Sequence, residues 1–334
     1  MTASPGAMHP APPVPQPPGA TGPSGRFRAA RWDWVSTLGT GATGLATVLI
    51  IAILGVILGN IIVNGVQFVS WHFITTGTAS DMFDVNKAGI LPMIVGTSAR
   101  VILMTIFVLP AGVLTAIYLT EYARTTSKFT RVIRGAVNNL AGVPSIVFGL
   151  FGAGFFVRFV GRGMDAALYP GKGVTVWGQP ALLWASATLA VMTLPVVIVA
   201  TEESLRAIPQ GLREASLALG ATKLETIRKI VLPQAVPGIM TGAILAISRA
   251  AGEVAPILFT GAAYFMADLP RSLHDQFMDL GYHVFILSTQ SPNVDKTRPL
   301  LYATVFVLLA LTFALNVVAV FIRANLRKKA RQNH

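Results

Sequence analysis

The sequence contains no cysteine among its 334 residues, and only 12% of its residues are charged. Without cysteine there is no disulfide framework, no thiol nucleophile and no cysteine metal site. The five histidines are scattered and form no HExxH-like pair, so the common zinc-hydrolase pattern is excluded. Soluble domains contain roughly 25% charged residues. With 53% hydrophobic residues and a mean hydropathy of +0.63, the chain is therefore predicted to be an integral membrane protein.

Acidic residues are also scarce: 14 Asp and Glu stand against 26 Lys and Arg, which gives a net charge of +12. In a membrane protein, basic residues in the loops set the orientation of the spans. That explanation accounts for the charge better than nucleic-acid binding does.

Long apolar runs recur along the chain without the alternating pattern of an outer-membrane barrel, which predicts an all-α membrane protein with six transmembrane helices. Basic residues concentrate before the first run, after the last run, and in the loops after the second and fourth. The positive-inside rule then places both termini in the cytoplasm and the chain in the inner (plasma) membrane. The predicted spans are residues 36–64, 90–120, 135–159, 181–203, 236–262 and 299–322.

The chain is predicted to have three parts. Residues 1–34 begin with a Pro- and Gly-rich stretch that cannot bury enough apolar surface to order itself, so they are predicted to be a disordered cytoplasmic tail. Residues 35–327 form the membrane domain, and residues 328–334 form a basic cytoplasmic tail. Proline within the spans predicts kinks or breaks at Pro110, Pro144, Pro195 and Pro256.

Two charges lie in the stretch "ILAISRAAGEVAPILF", residues 244–259, which otherwise has the composition of a membrane span. Charge at membrane depth is costly and commonly marks a functional site. Arg249 and Glu253 are one helical turn apart, so they either neutralise each other and fasten the helix or line a polar path. Arg100, in the second span, is a third candidate that either attracts anions or extends to the outer interface.

The loop between the fourth and fifth spans, residues 210–233, is predicted to form two short helices joined at Gly220. Thr222 and Glu225 have capping-box spacing at the start of the second helix, which is predicted to stop at Pro233. Such a helix fits either a groove in a partner protein or the membrane surface. Its predicted apolar face consists of Leu224, Ile227 and Val231.

This loop resembles the EAA motif of permeases in ATP-binding-cassette importers, which is E-A-A, three residues, G, nine residues, and I-x-L-P. A serine in the third position is the one departure from the pattern. The resemblance implies a MetI-like fold and a coupling loop, residues 206–233, that docks on an ATPase subunit. The matching residues are Glu214, Ala215, Ser216, Gly220, Ile230, Leu232 and Pro233.

Further segments resemble the phosphate-specific members of this class and extend the resemblance over about residues 90–325. They are "LPAGVLTAIYLTEYAR", "NNLAGVPSIVFGLFG" and "SRAAGEVAPILFTG", and "LPRSLHDQFMDLGYHVF" is similar to the PstA type of permease. The resemblance implies import of inorganic phosphate with a PstC-like permease, a dimer of PstB-like ATPases and a periplasmic PstS-like phosphate-binding protein. On this interpretation Arg249, Glu253 and Arg100 are candidates to line the substrate path.

The chain has no Walker site of its own. Its nearest approach, "AALYPGKG", has Ala166 in place of the first glycine and Gly173 where Ser or Thr binds magnesium. We therefore expect no cofactor and no enzymatic activity, with ATP bound by the partner ATPase. Alternating access driven by that ATPase is the expected mechanism.

Four alternatives remain at this point. A PstC-type subunit, or an importer of another oxyanion such as molybdate or sulfate, would share the EAA loop. An intramembrane enzyme would need a nucleophile with a base, or a metal cluster, within the spans. A carrier driven by an ion gradient would need coordinating carboxylates near the midplane, where Glu253 is the one acidic residue well inside a predicted span.

Overall fold

The computed structural model describes residues 34–78, 82–84, 87–124, 126–266 and 268–332. Six helices in these ranges are long and apolar enough to cross a membrane, which confirms the predicted number. They are Trp34–Val66, Leu91–Tyr122, Ser145–Leu168, Leu182–Arg206, Lys223–Gly252 and Val294–Leu326.

The described residues group into two units, one that ends at Val56 and one that begins at Ile57. Within the first unit, residues 34–56 belong to helix α1 (Trp34–Val66) and are exposed throughout. The apolar side chains of this helix cover all of its faces, as expected of a helix in contact with lipid.

Helix α7 (Leu182–Arg206) is the most buried of the long helices, and it packs between α3 (Leu91–Ile117) and α10 (Leu232–Gly252). Glycine permits the close approach on both sides. A Cβ at Gly112 of α3 would lie 2.6 Å from Val197 Cγ1, and one at Gly242 of α10 would lie 2.8 Å from Ala200 Cβ. Small residues at such crossings are typical of membrane helices, where tight packing replaces the hydrophobic effect as the force between helices.

The third span differs from the prediction. Residues 128–141 form a separate amphipathic helix, α4 (Lys128–Ala141), and the chain then breaks at 142–144. The span begins with α5 (Ser145–Gly152), continues through a π-helical segment, Ala153–Gly161, and ends with α6 (Arg162–Leu168). The predicted range of 135–159 therefore began too early, because Pro144 and the residues before it interrupt the helix.

The fifth span also differs at both ends. Helix α9 (Lys223–Thr226) runs without a break through a π-helical segment, Ile227–Val231, into α10, so the predicted stop at Pro233 is wrong. Pro233 is tolerated because it is the second residue after the π-helical segment, where the α-helical hydrogen-bond pattern is already interrupted. At the other end the helix stops at Gly252 instead of residue 262.

The four span prolines divide into two pairs. Pro144 and Pro256 lie at chain breaks, as predicted, whereas Pro110 and Pro195 lie inside α3 and α7, which continue through them. The last helix, α13 (Val294–Gln332), includes part of the predicted basic tail. Residues 1–33 of the predicted N-terminal tail lie outside the described residues.

The remaining helices are short and connect the spans. They are α2 (Trp71–Thr75), α8 (Gln210–Ala218), α11 (Ile257–Thr260) and α12 (Leu280–Thr289). Helix α12 packs against α13 and α3 within an apolar cluster that includes Met93, Leu280 and Leu300. A second apolar cluster, near the carboxyl end of α7, fixes the helices from which α8 and α9 project. It includes Leu119, Leu205 and Val231.

Candidate functional site

Glu253 lies at the point where the fifth span is interrupted. Helix α10 ends at Gly252, and Glu253 has the extended backbone angles φ −80° and ψ 128°. Buried Pro256 follows, and the chain turns helical again only at α11. Irregular backbone at membrane depth is tolerated where it is buried in protein or lines a water-filled cavity. The break therefore places a charged pair at a position that suits a polar path.

Arg249 and Glu253 form a loose ion pair. The distance between Arg249 Nε and Glu253 Oε1 is 3.6 Å, and the two side chains are 46% and 22% exposed. Beside them, Ser248 Oγ donates a hydrogen bond of 2.7 Å to Asn316 Oδ1 of α13. A loosely paired guanidinium retains N–H donors for an anion, and the carboxylate retains acceptor sites for a protonated ligand.

Arg100 occupies a different environment from Arg249. Its side chain is fully buried, and its Nη2 lies 2.7 Å from Asp279 Oδ2. Nη1 donates to the carbonyl of Ala250 at 2.8 Å, and Nη2 donates to that of Ala251 at 3.4 Å. These carbonyls belong to the last turn of α10, which has a partial negative charge, and that of Ala250 also accepts the backbone N–H of Glu253 at 3.2 Å. Arg100 thus caps the end of the helix that contains Arg249.

This burial bears on the prediction that Arg100 contacts substrate or extends to the outer interface. Either role requires an exposed guanidinium, and the exposed fraction of the side chain is 0%. In this conformation the geometry favours a structural role, in which Arg100 fixes the helix break beside Glu253.

Asp279 is a residue that the sequence analysis missed as part of this cluster. Its carboxylate accepts hydrogen bonds from Thr97 Oγ1 at 2.9 Å and from the backbone N–H of Tyr282 at 3.2 Å, which caps the start of α12. The ion pair with Arg100 therefore joins α3 to the end of α10 and the beginning of α12. The available signal was the single acidic residue before the apolar stretch "LGYHVFILST", which has the form of an N-cap.

The EAA segment, residues 210–233, has the predicted helix and turn at its start, but its second helix, α9, is the beginning of the fifth span and not a separate short helix. Gly220 has a φ of +87°, a left-handed conformation that favours glycine, and it makes the turn between α8 and α9. Thr222 and Glu225 form the predicted capping box. Ser216, the one departure from the motif, forms a hydrogen bond of 2.9 Å with Thr226, so it ties the two helices together.

Arg213 anchors α8 to the membrane domain. Its Nη2 lies 2.9 Å from Glu121 Oε1, and both side chains are largely buried. Its Nη1 donates to the carbonyl of Ile208 at 2.7 Å, and Nη2 donates to that of Leu205 at 2.8 Å. Arg213 is one of the basic residues in the loop after the fourth span, so it has a structural role in addition to its charge.

Leucines project from the turn of the EAA segment. Leu217, Leu219 and Leu224 are 47%, 90% and 66% exposed. Of the three residues on the predicted apolar face, Ile227 and Val231 are buried, whereas Leu224 is exposed. Glu214, Ala215 and Gly220 are exposed as well, whereas Ile230, Leu232 and Pro233 are half-buried. An exposed apolar tip on a short rigid support is typical of a surface that docks on a partner.

Comparison with known proteins identifies the family. Residues 109–332 match the family described as "Binding-protein-dependent transport system inner membrane component". The chain belongs to this family. It is therefore a permease subunit of an ABC importer, which is not itself an enzyme and which works with an ATPase and a periplasmic binding protein.

Individual relatives agree with this assignment. The chain is 32% identical to the probable ABC transporter permease protein YqgI of Bacillus subtilis, over 77% of this chain and 85% of that protein. It is 35% identical to the phosphate transport system permease protein PstA of Mycobacterium leprae, over 72% of this chain and 76% of that protein. The fold is similar to that of a chain in a bacterial alginate ABC transporter, with a TM-score of 0.56 and 16% identity over 89% of this chain and 96% of that one.

Proposed function

We propose that this permease subunit forms part of the path of an ATP-driven importer of inorganic phosphate. The observation that supports the substrate most directly is the half-exposed pair of Arg249 and Glu253 at the interruption of the fifth span. Relatives named as PstA phosphate permeases support the same substrate.

The chemistry of the pair suits a protonated oxyanion. The planar guanidinium of Arg249 provides charge-assisted donors for phosphate oxygens. Near neutral pH phosphate retains at least one proton, and an ionised Glu253 can accept a hydrogen bond from that hydroxyl. Sulfate offers no such proton, so Glu253 would be left as an unpaired acceptor next to it. We propose that this difference contributes to rejection of sulfate.

The mechanism that we propose is alternating access between two states. A PstS-like binding protein delivers phosphate on the periplasmic side, and a PstC-like permease completes the path. A dimer of PstB-like ATPases binds ATP, docks on the EAA segment of α8 and α9, and drives the change of state. With the EAA segment on the cytoplasmic side and six spans, both termini lie in the cytoplasm. The exposed leucines near Gly220 and the anchoring of Arg213 on Glu121 support this use of the EAA segment, because together they connect a docking tip to the end of the second span and to α7.

The experiment is ATP-dependent uptake of radiolabelled phosphate by proteoliposomes that contain the complete complex. We expect uptake that unlabelled phosphate suppresses and that equal concentrations of sulfate or molybdate leave unchanged. Uptake of sulfate or molybdate in preference to phosphate would replace the proposed substrate by that oxyanion, while the permease assignment would stand.

A further inference from the structure

A cavity of about 670 Å³ lies behind the EAA segment. One wall is formed by α8 and α9, and the other by Leu119, Glu121 and Ala123 at the end of the second span together with Ile208. Its volume is within the range of about 300 to 1,000 Å³ that is typical of small-molecule sites. We call it the basic cavity, because its lining includes Arg134, Arg206, Arg213 and Lys223.

The cations of the basic cavity are only partly neutralised. Arg134 Nη1 and Arg206 Nη2 approach the same oxygen of Glu202, at 2.9 Å and 3.0 Å, so two guanidinium groups share one carboxylate. Arg213 is paired with Glu121, and Lys223 Nζ lies 4.9 Å from the centre of the Tyr122 ring. Glu214 is the remaining carboxylate in the lining. The four cations therefore face three carboxylates, which are those of Glu121, Glu202 and Glu214.

Hydrogen-bond donors remain available in the basic cavity. The side chain of Arg206 is 57% exposed and donates one of its N–H groups to Glu202, which leaves further donors of the planar fork free.

We infer that the basic cavity binds a phosphate group through Arg206, Arg134 and Lys223. Arginine-rich pockets between membrane helices at the cytoplasmic surface suit the headgroups of anionic lipids, and apolar Leu119 and Ile227 could contact the glycerol region. Free inorganic phosphate presents the same anionic oxygens to the same donors. The position of the basic cavity at the cytoplasmic surface rests on the proposed function. Anionic lipid headgroups and free phosphate are both present at that surface.

Occupancy of the basic cavity would act on the EAA segment. Glu214 and Leu217 of α8, and Thr226 and Ile227 at the start of the fifth span, belong to its wall. A bound anion bridging this wall to Arg134 and Arg206 would fix the distance between the EAA segment and the membrane domain. The site would therefore adjust how strongly ATP hydrolysis is coupled to transport.

The test uses the complete complex and two probes. Native mass spectrometry compares retention of phosphatidylglycerol with that of phosphatidylcholine, and calorimetric titration of lipid-depleted complex measures binding of inorganic phosphate. Arg206→Gln and Lys223→Gln are compared with Arg228→Gln, an exposed cation of the same segment that lies outside the cavity lining. Each cavity variant is expected to weaken binding by roughly fivefold, as is typical for one cation at a membrane surface, and the control is expected to leave it unchanged.

The outcomes separate the sources. Selective retention of phosphatidylglycerol that depends on Arg206 identifies a lipid headgroup, and saturable phosphate binding that depends on Arg206 identifies free phosphate. Failure of both probes to bind, or equal binding by Arg206→Gln and Arg228→Gln, overturns the inference. Both assays measure binding without transport, so an importer that proves to carry another solute would overturn the proposed function and leave this site intact.

Discussion

Arg100 and Asp279 form a fully buried ion pair, with Arg100 Nη2 2.7 Å from Asp279 Oδ2. Arg100 also donates to the carbonyls of Ala250 and Ala251, and Asp279 caps α12. The pair thus fixes the helix end from which Glu253 emerges. Both side chains have a structural role beside the predicted path. The partly exposed charge of Arg249 remains available to a substrate.

Removal of one partner of this pair should be strongly destabilising. Arg100→Gln leaves the carboxylate of Asp279 buried without its cation, which typically costs about 3 to 5 kcal/mol. The measurement is chemical denaturation of the purified protein in detergent. Because Asp279→Asn removes the stranded charge, we expect the double variant Arg100→Gln/Asp279→Asn to be more stable than Arg100→Gln alone.

Arg298→Gln provides the matched control for the Arg100 variant. Arg298 lies 3.5 Å from Asp295, but the two side chains are 61% and 89% exposed. Exposed pairs contribute at most about 1 kcal/mol. Similar losses of stability in Arg298→Gln and Arg100→Gln would show that the buried pair has no special importance.

Ser216→Ala should separate the stability of the EAA segment from its function. The substitution restores the family's E-A-A pattern and removes the hydrogen bond to Thr226, at a cost of about 1 kcal/mol. We expect coupled uptake to be retained. Thr222→Ala should cost a similar amount, about 1 kcal/mol, through loss of the capping box. Loss of ATP-dependent uptake in Ser216→Ala, with the complex still assembled, would contradict the view that the hydroxyl only joins α8 to α9.

His283 should make the stability of the protein depend on pH. It lies in α12, outside the six candidate spans, and burial lowers its pKa from 6.5 to about 4. The unfolded chain therefore takes up a proton near pH 6.5, whereas the folded protein does so only near pH 4. Stability contributed by this site is present above pH 6.5 and is lost as the pH falls towards 4, by roughly 3 kcal/mol in total.

The variant His283→Leu tests this assignment in the same denaturation assay. Both ring nitrogens of His283 lack hydrogen-bond partners among the described residues, so an apolar side chain should be tolerated. Between pH 6.5 and 4 we expect the free energy of unfolding to fall by roughly 3 kcal/mol less in this variant than in wild type. His72→Gln, at an exposed position, should behave like wild type. An unchanged pH profile in His283→Leu would refute the assignment.

Glu253→Gln should relax the rejection of sulfate. The amide group supplies N–H donors where the carboxylate can only accept, so a fully deprotonated oxyanion no longer faces an unpaired acceptor. The measurement is uptake of labelled sulfate and labelled phosphate by the reconstituted complex. Glu203→Gln, the same substitution at an exposed position of α7, is the control. If Glu253→Gln excludes sulfate as well as wild type does, the selectivity role is wrong.

The sequence was sufficient for the number of spans and for the capping box and turn of the EAA segment. The capping box at Thr222 and the turn at Gly220 depend on neighbouring residues, so their pattern can be recognised in the chain itself. The break before Pro144 also has a local cause, but the apolar residues on both sides concealed the start of the third span.

The features that the sequence did not predict depend on distant contacts. Arg100 and Asp279 are 179 residues apart, and nothing near either one indicates the other. Arg213 and Glu121 are separated by 92 residues and meet only because α8 folds back on the end of the second span. Continuation of the helix through Pro233 depends on a π-helical segment that propensity alone does not indicate.

The most direct test of the proposal that Arg249 lines the phosphate path is ATP-dependent phosphate uptake by proteoliposomes containing the complete complex. Wild type is compared with Arg249→Gln. Arg271→Gln is the control, because Arg271 is 82% exposed and lies outside the spans. Complex assembly and basal ATP hydrolysis are measured in the same preparations. The account predicts that Arg249→Gln loses at least about tenfold in uptake, equivalent to about 1.4 kcal/mol, while assembly and basal hydrolysis are retained. Uptake equal to that of wild type would contradict it and would leave Arg249 and Glu253 as a structural ion pair.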